Sequence, residues 1–210
     1  MCGILGLWSN SSNFEENKVQ ITKMAAQIRH RGPDNSGFWF DKDASFFLSH
    51  QRLSILDLTN DGNQPMLSHS GRYVISFNGE IYNYQELKIE LEKYNKFTRW
   101  KSSSDTEVLL ELIELYGLKK ALQKCRGMFS LSIWDRKEKK LQLARDRIGE
   151  KPLYYGFSGS GENKTFLFSS ELSALKTWKY FDNNLNISMT TSEHRNNIRS
   201  SSYVASIANT

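Results

Sequence analysis

The first eight residues constrain this chain more than any other stretch. Gly3-Ile4-Leu5-Gly6-Leu7-Trp8 reads as a buried strand, with glycines where another backbone or a substrate comes close. Directly ahead of it stands Cys2, one aminopeptidase step from being the N-terminal residue. Removal of Met1 would leave a thiol and a free α-amine on one residue. The thiolate is a strong nucleophile, and an α-amine titrates near pH ~7.7–8.0, so nucleophile and base come pre-assembled with no sequence-distant histidine required. On the dipeptide alone, cysteine at position 2 could be chance. The motifs further along the chain decide the matter.

The 210 residues, 39% of them hydrophobic and 12% aromatic, suffice for one domain with a sizeable core, or one domain and a tail. The excess of 28 Lys+Arg over 23 Asp+Glu is spread along the chain. It reads as a solvated surface, open to a small anionic substrate, and not as a nucleic-acid footprint. Two cysteines, Cys2 and Cys125, make no disulfide framework, and Cys125 reads as a structural thiol. The start lacks the basic region of a secretory signal, and no apolar run approaches the ~20 residues of a membrane span. The expectation is a cytoplasmic chain with a reduced thiol and neither membrane nor nucleic acid as partner.

Residues 15–29 carry apolar positions at helical spacing, and Gly32-Pro33-Asp34 breaks the chain after them. Short strands are expected at 38–40, 45–49, 52–56 and 73–78, followed by a helix over 84–94. Ser104-Asp105-Thr106-Glu107 looks like a helix start, Val108 to Tyr116 supply its apolar face, and Gly117 ends it. Further strands are expected at 128–134, 141–145, 153–157 and 166–169. Strands, helices, then more strands with hairpin-length gaps argue for antiparallel sheets over a parallel doubly wound fold. Residues 188–210, rich in Ser, Thr and Asn, read as a disordered or poorly packed tail, which puts the domain at 1–187.

Several segments occur in an order that resembles one family. They are Met1-Cys2-Gly3-Ile4, His30-Arg31-Gly32-Pro33-Asp34-Asn35-Ser36-Gly37, His50-Gln51-Arg52-Leu53-Ser54-Ile55 and Phe77-Asn78-Gly79-Glu80-Ile81-Tyr82-Asn83. Next in order come Ser104-Asp105-Thr106-Glu107, Gly127-Met128-Phe129, Arg145-Asp146-Arg147-Ile148-Gly149, Lys151-Pro152-Leu153-Tyr154-Tyr155 and Ser169-Ser170-Glu171-Leu172. Together they resemble the glutaminase domain of glutamine-hydrolysing asparagine synthetases, a class II amidotransferase domain with an N-terminal nucleophile. The resemblance implies an α+β fold, a four-layer αββα sandwich of two antiparallel sheets, with the N-terminus at the end of a strand in the cleft. It also implies hydrolysis of L-glutamine to glutamate and ammonia through a γ-glutamyl thioester on Cys2.

On that resemblance, Asn78 (side-chain amide) and Gly79 (backbone N–H) are the candidate donors to the oxyanion of the tetrahedral intermediate. A glycine there would let the backbone approach the oxygen without a Cβ in the way. The bland alternative for Asn-Gly is a type I′ hairpin turn. Arg52 offers a planar fork for the α-carboxylate of glutamine, with Leu53, Ser54, Ile55 and Leu56 lining the cleft beside it. Glu80 and Asp105 stand where the family holds the α-ammonium. A surface salt bridge for Arg52 and a plain N-cap for Asp105 are the bland alternatives. Arg29, Arg31, Pro33 and Asp34 are expected to shape a loop or cleft wall. Asp146, Arg147 and Lys151 are expected to make buried or interfacial polar contacts. None of His30, His50, His69 or His194 has metal-ligand spacing to another, so no metal and no cofactor are expected for the glutaminase step.

A full asparagine synthetase continues into an ATP-pyrophosphatase domain with an S-G-G-x-D loop, where ATP and Mg would act. That motif is absent here, although Phe181-Asp182-Asn183-Asn184-Leu185-Asn186 resembles the linker into such a domain. The expectation is a truncated or frameshifted synthetase, with a separate ATP-dependent synthetase chain as a candidate partner. Two other readings stay open: the amidotransferase part of a different amide-forming or amino-sugar synthase, and a non-catalytic or decayed fragment that only binds.

Overall fold

Strand periodicity divides the apolar residues of this chain between three cores. Successive side chains of a strand point to opposite faces, so a strand covered on both sides needs apolar residues at nearly every position. The computed structural model describes residues 1–11, 13–95, 99–181 and 203–208. In it, β1 (Gly3–Ser9) is buried along its whole length. It pairs antiparallel with β3 (Phe46–Arg52) on one side and β9 (Thr165–Ser169) on the other. With β2 (Asn35–Asp41) beyond β3 and β8 (Tyr154–Ser158) beyond β9, the first sheet has the order β2-β3-β1-β9-β8.

The second sheet is built on β5 (Tyr73–Ile81), which pairs with β6 (Gly127–Asp135) and with the two-residue β4 (Met66–Leu67). β7 (Lys140–Arg145) lies beside β6, and β10 (Tyr203–Ala208) closes the order β10-β7-β6-β5-β4. Leu5, Leu7, Phe47 and Leu167 face α1 (Phe14–Gln27) and α5 (Leu172–Lys176). Ile75, Phe77, Leu131 and Ile133 face α2 (Tyr84–Asn95), α3 (Asp105–Tyr116) and α4 (Leu118–Lys124). The intervening residues Trp8, Phe46, Leu48, Val74, Trp134 and Phe168 meet between the sheets. The layers are therefore helix, sheet, sheet, helix, as the resemblance implied.

Aromatic packing clamps one end of the sandwich. The ring of Trp134 stacks on Phe46 at 4.2 Å between centroids and meets Trp8 edge-on at 5.1 Å. The indole N–H of Trp134 donates to Asp41 at 3.0 Å, and Lys139 pairs with that carboxylate at 2.7 Å, so the polar atom of the cluster is satisfied. Local signals set the helix ends. Asn13 accepts from Glu16 N–H ahead of α1, Ser104 accepts from Thr106 N–H ahead of α3, and Gly117 leaves α3 at φ +75°.

Two expectations change. Residues 52–56 do not form a strand, because β3 ends at Arg52 and the next backbone N–H groups are taken by Cys2 Sγ and the Asp34 carboxylate. Within the stretch read as a tail, Tyr203–Ala208 forms β10, paired antiparallel with β7 from Tyr203↔Arg145 to Ala208↔Lys140. Residues 182–202 and 209–210, with most of the linker segment, lie outside the described residues. Among the described residues no helix is long and apolar enough to cross a membrane.

Gly6 is required by the sandwich itself. An added Cβ would stand 2.2 Å from the Phe168 ring and 2.9 Å from the Phe47 carbonyl oxygen. Gly6→Ala is expected to cost about 1–3 kcal/mol by overpacking. The readout is a lower urea midpoint at an unchanged m-value; an unmoved midpoint would mean that the Phe168 ring yields freely.

Candidate active site

The β1–β3 register, with Gly3 opposite Gln51, carries Cys2 to the point where the chain leaves β3. Cys2 Sγ accepts from Leu53 N–H at 3.4 Å and lies 3.6 Å from Leu53 O. The Cys2 carbonyl accepts from Arg31 Nε at 3.0 Å, and Arg31 is pinned by Glu171 at 2.9 Å. Burial pushes the Cys2 thiol above its ordinary value, against the Leu53 N–H, the amino terminus, Arg52 and Arg31. At rest the sulfur therefore keeps its proton, and a base must sit close by for it to react.

The loop after β3 is held from several sides. Arg52 is buried, and its Nη1 donates to Thr59 O and Asn63 Oδ1, each at 2.7 Å, while its Nη2 donates to Asp57 O. Burial pushes Asp57 up, but hydrogen bonds from Thr59 and Ser103 outweigh it and hold the carboxyl down at about 2. Ser54 gives its N–H to Asp34 Oδ2 at 2.7 Å. Arg31 and Asp34 thus shape the wall around Cys2, in keeping with their expected role.

The outer edge of β5 supplies the other wall. Phe129 bonds Asp146 through its N–H (3.1 Å) and its C=O (2.8 Å), so Gly79, opposite Phe129, turns its own backbone groups away from β6. Along that outward edge Phe77 N–H donates to Gln64 Oε1 at 2.7 Å, His50 Nε2 bonds Phe77 O at 3.0 Å, and Ile81 N–H donates to Asp105 Oδ2 at 2.8 Å. Between them, Gly79 N–H meets no protein acceptor among the described residues, and Gly79 lines a cleft. The neighbouring Asn78 is buried, and its Nδ2 also has no partner among the described residues. Asn-Gly is therefore no hairpin turn: it lies inside a nine-residue strand. A Cβ at Gly79 would meet Met128 O at 2.4 Å, so the glycine is set by close pairing with β6.

Asp105 is the first residue of α3, and Ser104 is its cap. Burial, aided by the Glu80 charge, raises its carboxyl to about 6 against the bond from Ile81 N–H. Cys2, Arg52, Leu53, Ile55, Leu56, Gly79, Glu80 and Asp105 all line one cavity of about 70 Å³. Of the expected residues, Ser54 is turned to Asp34, and Asn78 sits behind the lining.

A family model described as a glutamine amidotransferase domain matches residues 1–207. The chain belongs to this glutamine amidotransferase domain family. Asparagine synthetase [glutamine-hydrolysing] 2 of Bacillus subtilis is 40% identical over 177 residues, covering 83% of this chain and 22% of the relative. The Zea mays asparagine synthetase is 38% identical over 175 residues, covering 83% and 28%. A putative asparagine synthetase of Methanocaldococcus jannaschii is 37% identical over 203 residues, covering 89% and 37%. This amidotransferase domain thus spans 22–37% of the length of these relatives. The fold matches glutamine phosphoribosylpyrophosphate amidotransferase of B. subtilis at a TM-score of 0.64 and 21% identity, over 84% of this chain and 43% of that one.

Sequence reasoning missed His50, Asp57, Gln64 and Thr106. His50 stood inside one of the ordered motifs, but only the register and the short β4 reveal that it faces a backbone carbonyl. Gln64, ahead of Pro65, reaches both Phe77 N–H and Thr106 Oγ1 (3.3 Å), and its spacing carried no signal of that.

A carboxyl raised to about 6 is ionised in only part of the weakly acidic range, and an ammonium ligand needs the ionised form. For the free domain, kcat/KM for glutamine is expected to rise with pH through about 6. Asp105→Asn should flatten that limb and weaken glutamine binding about 10–100-fold. Because the folded state holds this proton more tightly than the unfolded chain, Asp105 lowers stability as pH rises from about 4 past 6. Asp105→Asn should therefore melt a few degrees higher than the parent at pH 7.5, the difference closing below pH ~4. An unchanged pH limb in the variant would remove Asp105 from the binding step.

Proposed function

We propose that Cys2, once Met1 is removed, is the nucleophile that hydrolyses L-glutamine in this amidotransferase domain. The observation that carries the reading is the coincidence at one cleft of Cys2 with Gly79 N–H, beside the buried Asn78 amide, neither donor having a protein acceptor among the described residues. A buried donor left unpaired costs about 1–3 kcal/mol; the oxygen of a tetrahedral intermediate would relieve that cost for Asn78 and accept from Gly79 N–H as well.

The Cys2 α-amine takes the thiol proton as sulfur attacks the side-chain carbonyl carbon, and the π pair moves to the oxygen facing Gly79 and Asn78. Collapse breaks the C–N bond while the same amine returns its proton to nitrogen, releasing ammonia and leaving a γ-glutamyl thioester. Water, deprotonated by that amine, then attacks the thioester and yields glutamate and free Cys2. Arg52 answers the α-carboxylate, Asp105 and Glu80 the α-ammonium, and Leu53, Ile55 and Leu56 cover the chain between them. Ser54 serves by holding the loop. Neither metal nor organic cofactor enters these steps.

The names of the relatives support asparagine formation as the destination of the ammonia. In our reading the acceptor carboxylate is activated with ATP and Mg on a synthetase unit, whether in a longer form of this chain or on a separate chain, in the cytoplasm.

Glutamate release from glutamine, by protein whose mass shows Met1 gone, is the test. Cys2→Ala should abolish it, and Asn78→Ala should lower kcat about 10²–10³-fold with little change in KM. Activity that survives Cys2→Ala would exclude the thioester route.

A further inference from the structure

We propose that His50 is a positioning residue for the oxyanion donors, fixing the Phe77–Gly79 segment of β5 against the strand that carries Arg52 and the Cys2-binding Leu53. The inference rests on the amidotransferase reading of the cleft and extends it to a residue that would not touch glutamine.

The geometry is one of backbone accounting. β4 pairs only with Val74 and Ile75, so Phe77, two residues further along β5, lacks a strand partner on its outer side. A buried C=O and N–H must still be satisfied. Gln64 Oε1 takes the Phe77 N–H at 2.7 Å, and His50 Nε2 lies 3.0 Å from Phe77 O. A carbonyl can only accept, so Nε2 carries the proton and donates. In an extended strand the C=O of one residue and the N–H of the residue two further on share an edge. Phe77 O and Gly79 N–H therefore flank Asn78 on that edge, one filled by His50 and the other open to the cleft.

His50 itself cannot drift. It is fully buried on β3, opposite Ile4 of β1 and Gly37 of β2. Burial pushes its ring down to about 4, against the bond to Phe77, with the Arg52 cation adding to the same fall, so the imidazole stays neutral through the working range. Two residues along the same strand is Arg52, and the next residue gives its N–H to Cys2 Sγ. One hydrogen bond from His50 thus sets the spacing between the nucleophile wall and the oxyanion wall. The other side chain-to-backbone bond between these strands, Ser76 Oγ to Ser49 O at 3.4 Å, lies one step further from the cleft.

The decisive pair of variants is His50→Gln and His50→Asn. Both are polar, but only glutamine extends its amide nitrogen as far as the ring Nε2. His50→Gln should keep kcat within about threefold, whereas His50→Asn should lose about 10–100-fold, the scale of a sub-ångström to 1 Å misplacement. KM should stay within about threefold in both, and alkylation of Cys2 by iodoacetamide, which needs no oxyanion donor, should run at the parental rate. Ser76→Ala should lower the melting temperature and leave kcat unchanged. Equal kcat in the two His50 variants would overturn the proposal, as would a fall in alkylation that parallels kcat. A parent protein lacking Met1 that releases no glutamate would overturn both this inference and the amidotransferase reading. An active parent with His50 variants of equal kcat would overturn this inference alone.

Discussion

β4 stops after Met66 and Leu67, so no strand pairs the outward backbone groups of β5 past Ile75, and those that are satisfied find side chains instead. The groups that answer come from three separate parts of the chain: Gln64 from the approach to β4, His50 from the other sheet, Asp105 from the start of α3. Each of these side chains is thereby fixed beside the cleft. A longer β4 would have paired Gly79 N–H as well and left it unavailable to the cleft that Cys2 lines. The open edge is what allows one strand to be both a buried structural element and a reactive wall.

The layer between the sheets changes character along its length in a way that serves the same end. On one face of β5 and β6 the cross-strand pairs run Val74↔Trp134, Ser76↔Ser132, Asn78↔Ser130. The first belongs to the aromatic clamp; the last reaches the proposed oxyanion donors. The hydroxyls of Ser130 and Ser132 are buried and have no partner among the described residues, nor has His50 Nδ1. Unpaired buried groups weaken a fold by about 1–3 kcal/mol each. Aromatic packing at the far end offsets that weakness, leaving the end behind Asn78 polar. A stable end and a reactive end are thus separated along a single pair of strands.

The strands and helices were legible because both signals are local. Short apolar runs between polar turns marked β5, β6, β7 and β9, and Ser104 and Gly117 bracketed α3. The strand order itself was not, since it depends on which edges meet, and β4 and β10 are too short or too polar in context to stand out. The cleft residues Cys2, Arg52, Gly79 and Asp105 came from ordered motifs, and the structure brings them together. The close pairing of Gly79 with β6 was not legible, because a glycine looks the same whether it clears a substrate or a neighbouring strand. His50 and Gln64 were invisible as site residues for a related reason. Their partners are backbone atoms, and backbone atoms leave no mark in a sequence.

Arg52 shows how far such bracing goes. A guanidinium has five N–H donors, and a carboxylate is best gripped by two parallel ones. Here the loop takes both Nη1 protons and one Nη2 proton through Thr59, Asn63 and Asp57. Nε–H and one Nη2–H remain. Gly62 permits this posture, since a Cβ there would stand 2.4 Å from Nη2. The same Asp57 whose carbonyl holds Arg52 uses its carboxylate to bond Ser103, two residues before Asp105. Arg52, the proposed partner of an α-carboxylate, and Asp105, the proposed partner of an α-ammonium, are therefore joined through Asp57. Their separation is a property of that short loop, and under the proposed roles it is the feature that would tell a free amino acid from a glutamine side chain within a peptide.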